Sequence, residues 1–139
     1  MEFLLYLSPH GQQLIRDLIS AKFHIHENVG LCQNKKVFGY TTAPNKFVIC
    51  TKNIERSGFD PHHYVKETVY HEAVHAAQIC NGNIPFQTSA KSLPLPWNKE
   101  EDIKKSMSLS KTNRQREREA YFYEDKPDKV NYLVRKYCF

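Results

Sequence analysis

The spacing of hydrophobic residues changes several times along this chain, and each change marks an element. Phe3 to Leu7 is a short apolar run, read as a strand or a lead-in packed on the core. Ser8-Pro9 then supplies an N-cap followed by proline at the first helical position. Leu14, Ile15, Leu18 and Ile19 form one apolar stripe, so a helix over about 9–22 is predicted to pack against a sheet. His24 and His26 follow on an expected loop as solvated side chains. Val37 to Tyr40 and Lys46 to Thr51 are rich in strand formers and separated by turn residues, which predicts two neighbouring antiparallel strands.

The longest periodic segment begins at Asp60-Pro61, an N-cap with proline behind it, and stops at Asn81-Gly82. Val65, Val69, Ala73, Ala76 and Cys80 share one face of this helix, while His71, Glu72, His75 and Ile79 turn towards another. Residues 83–98, with Pro85, Pro94, Pro96 and Trp97, lack periodicity and read as a long loop, of the kind that forms lids or binding loops. A short solvated helix is expected over 99–105. Thr112-Asn113-Arg114-Gln115 has the form of a capping box opening a helix over about 113–125. Val130, Leu133, Val134 and Tyr137 then predict a last amphipathic helix closing the core. The expected fold is a single α+β domain over 1–139, with a small mixed sheet packed on the N-terminal helix and the long central helix, and further helices after it.

Composition narrows the function classes. A chain of 139 residues with a quarter of them charged suits one folded domain. The net charge of +5 is spread along the chain and mixed with acids, so it reads as a solvated surface, and nucleic acid is not the expected partner. No apolar run approaches a membrane span, and the opening residues lack the basic start of a secretory signal. The chain is therefore expected to be soluble and intracellular, in the cytoplasm. There the cysteines at 32, 50, 80 and 138 act as small buried hydrophobes, although Cys32 and Cys50 flank the predicted hairpin and suit a bond in an oxidising compartment.

The chemistry lies in His71-Glu72-Ala73-Val74-His75. Residues four apart on a helix sit one above the other, so both imidazoles aim at one point, the site expected for one Zn2+. Glu72 is then placed as the general base that takes a proton from a zinc-activated water, and the predicted activity is hydrolysis of peptide bonds in a protein or peptide substrate. The pattern that continues with glycine and a third histidine is absent, because positions 78 and 81 are Gln78 and Asn81. The third ligand must therefore come from further away, and a glutamate on a later helix is the common solution. Glu117 and Glu119 are the candidates, and periodicity leaves them open, since Glu117 shares a face with Ala120 and Tyr121 and Glu119 with Phe122 and Tyr123. Phe47, Val48 and Ile49, at the start of the candidate stretch Phe47 to Lys52, are expected either to bind substrate by strand addition at a sheet edge or to form a plain internal strand. Tyr121, Tyr123, Tyr132, His62 and His63 are the candidate donors to a developing oxyanion.

His71 to His75 followed by Glu117-Arg118-Glu119-Ala120 resembles the gluzincin arrangement, in which the ligand glutamate opens a Glu-x-x-Ala stretch. Gly39-Tyr40, then Val48 to Ile54, then the histidine helix, then Glu117 to Ala120 are similar in order to the mitochondrial inner-membrane metallopeptidase family that processes an ATP synthase subunit. The resemblance spans roughly 32–124. It implies a minimal zincin-like domain in which His71, His75 and Glu117 hold zinc and Glu72 is the catalytic base. Two other readings compete with a zinc metalloendopeptidase. One is a catalytically inactive zinc-bound regulatory or protein-binding module. The other is a DNA-associated protease or basic binding protein, suggested by the net charge and by Arg114, Arg116 and Arg118.

Overall fold

The computed structural model describes residues 1–86, 93–109 and 114–139. A short 3-10 helix, Glu2–Tyr6, leads in and buries Phe3, as a core-packed segment rather than a strand. Helix α1 (Pro9–Ser20) starts where Ser8 Oγ accepts the amide of Gly11, and it buries Leu14, Ile15 and Leu18. Strand β1 (His24–Glu27) replaces the expected loop. Helix α2 (Leu31–Asn34), strands β2 (Gly39–Thr42) and β3 (Lys46–Ile49), and helix α3 (Thr51–Arg56) complete the first half. Then come α4 (Pro61–Cys80), α5 (Trp97–Leu109), α6 (Arg114–Tyr123) and α7 (Pro127–Cys138). The fold is α+β, as the sequence pattern predicts.

The sheet order is β1-β3-β2, with β1 parallel and β2 antiparallel to β3. This corrects the expectation of strand addition at Phe47, Val48 and Ile49. They lie in the central strand, paired on both sides and fully buried, so their backbone offers no free edge for a substrate. The edge towards the centre of the domain is β2, whose Gly39 and Thr41 lie against α4.

Helix α4 is the spine. Asp60 Oδ1 accepts the amide of His62 at 3.1 Å and Pro61 follows it, so the helix begins where the sequence indicates. Val65, Val69, Ala73 and Ala76 are fully buried, and α1, α6, α7 and the sheet pack around them. Unlike a surface helix, α4 is buried on nearly every side from Thr68 to Gln78, which is why polar groups there need partners within the protein. Helix α5 is longer than the predicted solvated segment and buries Ile103. The proposed capping residues Thr112 and Asn113, and part of the predicted loop, lie outside the described residues.

All four cysteines are paired, Cys32 with Cys50 and Cys80 with Cys138. This overturns the expectation of reduced cysteines. The second bond ties the end of α4 to the end of α7, a pairing across 58 residues that no local spacing reveals.

Candidate metal centre

Two turns of α4 bring His71 and His75 to the floor of a cleft of about 1000 Å3 between β2, α4, α5 and α6. Helix α6 lies across them and carries Glu117 into the same place. His75 Nε2 is 3.1 and 3.2 Å from the two Glu117 oxygens, and His71 Nε2 is 3.4 Å from Oε2. One donor atom from each of the three residues lies within 4.8 Å of the others, so the group can hold a metal ion. A tetrahedral zinc with ligands at about 2.0–2.2 Å has donors about 3.3–3.6 Å apart, and the distances from the two imidazoles to Glu117, 3.1 to 3.4 Å, fall close to that edge length.

The other ring nitrogens are occupied from behind. His71 Nδ1 lies 2.8 Å from Glu124 Oε1, and His75 Nδ1 lies 2.8 Å from Gln78 Oε1. Donation from both Nδ1 atoms leaves both Nε2 atoms as acceptors facing the cleft, the tautomer a metal requires. Gln78 is itself fixed, donating through Nε2 to Glu119 Oε1 at 2.8 Å and to the Arg116 carbonyl at 3.0 Å. Glu119 also accepts the amide of Phe86 at 3.0 Å. The two glutamates that periodicity could not separate thus have different places: Glu117 faces both imidazoles, and Glu119 stands behind Gln78.

Glu72 is buried one residue along the helix, and Thr41 Oγ1 of β2 donates to its Oε1 at 2.8 Å. The approach is close because position 39 is glycine. A Cβ there would stand 2.7 Å from Thr68 Cγ2 and 2.9 Å from the Val48 carbonyl oxygen.

The protein's own charges pull this cluster in two directions. Burial disfavours charge on His71 and His75, and the nearby carboxylates outweigh it, raising both pKa values, that of His71 well above the ordinary range. Burial likewise opposes the Glu117 carboxylate, yet the two imidazoles hold its pKa well below the usual value. Burial raises Glu72, and the histidines offset only part of that. A carboxylate between two imidazoles that already draw positive charge is electrostatically suited to a divalent cation, which would displace the protons.

A family model described as Domain of unknown function (DUF8637) matches residues 3–139. The chain belongs to this family. The match to DUF8637 runs from the first helix to the last, so all the residues of the cleft fall within it. No curated protein and no solved structure matches the chain.

Of the candidate oxyanion donors, Tyr121 alone lines the cleft among the described residues. Its ring centroid is 4.5 Å from that of His71, and its hydroxyl pairs with Ser106 Oγ at 2.7 Å. His62 packs edge-on against Tyr6, His63 lies beside Glu67, and Tyr132 is exposed. The three arginines of α6 do not form one face: Arg118 pairs in a fork with Glu100 at 2.7 and 2.9 Å, whereas Arg116 lines the cleft. Sequence reading missed Gln78, Glu124, Thr41 and Arg116. Two had a signal, since Gln78 lies one turn beyond His75 and Glu124 lies two turns beyond Glu117.

Proposed function

We propose that this protein is a zinc-dependent peptidase, with His71, His75 and Glu117 as metal ligands and Glu72 as general base. The observation that carries the reading is the convergence of two Nε2 atoms and one carboxylate, with the Nδ1 atoms held from behind, beside a second buried carboxylate that is not part of the cluster. Two histidines and a glutamate are a common donor set for catalytic zinc, which keeps a position open for water or substrate. Bound there, zinc would supply Lewis acidity to a carbonyl and make water acidic near neutral pH.

The chain's own residues would do the rest. Glu72, buried beside the cluster, would take a proton from the attacking water and return it to the leaving amine. Thr41 holds one of its oxygens. All four residues of the edge strand β2 line the cleft, and an edge strand can pair with an extended peptide backbone by strand addition.

Among the described residues no helix is long and apolar enough to cross a membrane. Two disulfides favour work in an oxidising compartment over the reducing cytosol. The test of the activity is Glu72→Gln. This variant is expected to keep the metal and lose hydrolysis of protein and peptide substrates; cleavage at the wild-type rate would sink the mechanism. Full metal occupancy with no Glu72-dependent hydrolysis in the wild type would instead favour a binding module.

A further inference from the structure

The cleft has a second chemical character away from the metal cluster. At the N-terminal end of α4, Phe38, Phe59 and Tyr64 build one aromatic wall: the rings of Phe59 and Tyr64 are 5.0 Å apart and those of Phe38 and Tyr64 are 5.9 Å apart. All three line the same cleft as His71 and His75, together with Leu31 and Val37. Phe59 packs on this wall yet remains 55 % exposed. Lys36 and Glu67 also line the cleft beside these residues, and a large aromatic side chain left half in water within such a concave, largely aromatic wall marks a surface suited to a ligand.

The wall lies at a definable distance from the candidate metal centre. Tyr64 precedes His71 by seven helical residues, a rise of roughly 10 Å. Phe38, in the bend just before β2, precedes Thr41, the partner of Glu72, by three residues, at most roughly 10 Å of chain. Two elements therefore give consistent separations. A peptide extended along β2 covers it in about three residues.

We propose that Phe38, Phe59 and Tyr64 form a subsite for a bulky apolar side chain of the peptide substrate, two to four residues from the bond that is cut. The proposal rests on the peptidase reading for its scissile bond. The occupant is a peptide because the wall lines the same cleft as β2, an edge strand whose free backbone can pair with an extended chain, and bulky and apolar because the wall presents aromatic faces. Phe59 holds the most accessible of these faces and sits outside the core, so its removal tests the subsite without threatening the fold.

The experiment uses a synthetic peptide library randomised around its centre, in two arms. Wild-type protein is used for cleavage with mass-spectrometric mapping, and zinc-loaded Glu72→Gln protein for capture. The expected result is enrichment of Leu, Phe or Met two to four positions from the cut on one side, with about tenfold lower kcat/KM for such peptides in Phe59→Ala. Peptides with alanine there lose nothing, and Phe59→Leu keeps most of the preference. The captured pool shows the same enrichment, lost when Phe59→Ala is added. Glu72-dependent cleavage without this enrichment, or with full enrichment in Phe59→Ala, overturns the subsite and leaves the peptidase reading standing. Apolar enrichment on capture, lost in Phe59→Ala, with no cleavage supports the aromatic wall as an apolar side-chain site but overturns the peptidase reading and with it the placement relative to a cut bond. Neither cleavage nor enrichment overturns both.

Discussion

Gln78 joins His75 to Glu119: it accepts from the imidazole Nδ1 at 2.8 Å and donates to the carboxylate at 2.8 Å. The chain of bonds fixes the ring so that Nε2 faces Glu117. Removing such a support behind a metal ligand weakens metal binding by roughly 10–100-fold. Gln78→Leu is therefore expected to bind zinc that much more weakly, as read by competition with a chromophoric chelator. Unchanged affinity would mean that the ring needs no support from behind.

Thr41 and Gly39 bring β2 onto Glu72. Thr41→Val removes the hydrogen bond to Glu72 while keeping shape, and is expected to lower kcat roughly tenfold, about 1.4 kcal/mol, with metal content unchanged and activity restored in Thr41→Ser. Gly39→Ala drives a methyl against Thr68 and the Val48 carbonyl, so it should cost about 1–3 kcal/mol of stability by denaturant titration.

Much of this was legible in the sequence, and the limits were physical. The caps and periodicity of α4 located its ends and its histidines, because those signals are local. Strand β1 was not legible: His24-Ile25-His26-Glu27 offers one apolar residue, and its extended form depends on pairing with β3. The same holds for Phe47 to Ile49, whose strand character is local but whose central position depends on β1 joining the far side. Glu117 and Glu119 are both buried among apolar neighbours, so only their partners on α4 separate them.

Glu67 gives the fold a dependence on pH. Burial first, and then the neighbouring Glu124 carboxylate, push its pKa to about 7, above its ordinary 4.5. Between those values the folded state holds a proton that the unfolded chain has released, so stability falls as pH rises through this window. Glu67→Gln removes the effect. Its melting temperature should exceed that of the wild type by a few degrees at pH 8, about 1 kcal/mol once solvent screening of this half-buried group is allowed for. The difference should shrink at pH 5; an equal difference at both pH values would remove Glu67 as the cause.

The Cys80–Cys138 bond closes a long loop across the helix that carries both histidines. Replacing both cysteines by alanine is expected to lower the unfolding free energy by roughly 2–4 kcal/mol, seen as an earlier denaturant midpoint. A midpoint identical to that of the wild type under oxidising conditions would mean that the bond does not form in solution.

The central claim is that His71, His75 and Glu117 hold one zinc. Elemental mass spectrometry of the purified protein after mild dialysis tests it most directly, with Glu117→Gln and Glu119→Gln measured alongside. Close to one zinc per chain is expected in the wild type and in Glu119→Gln, and little in Glu117→Gln. Absence of zinc from the wild type, with no tight uptake when zinc is supplied, or equal zinc in wild type and Glu117→Gln, would contradict it.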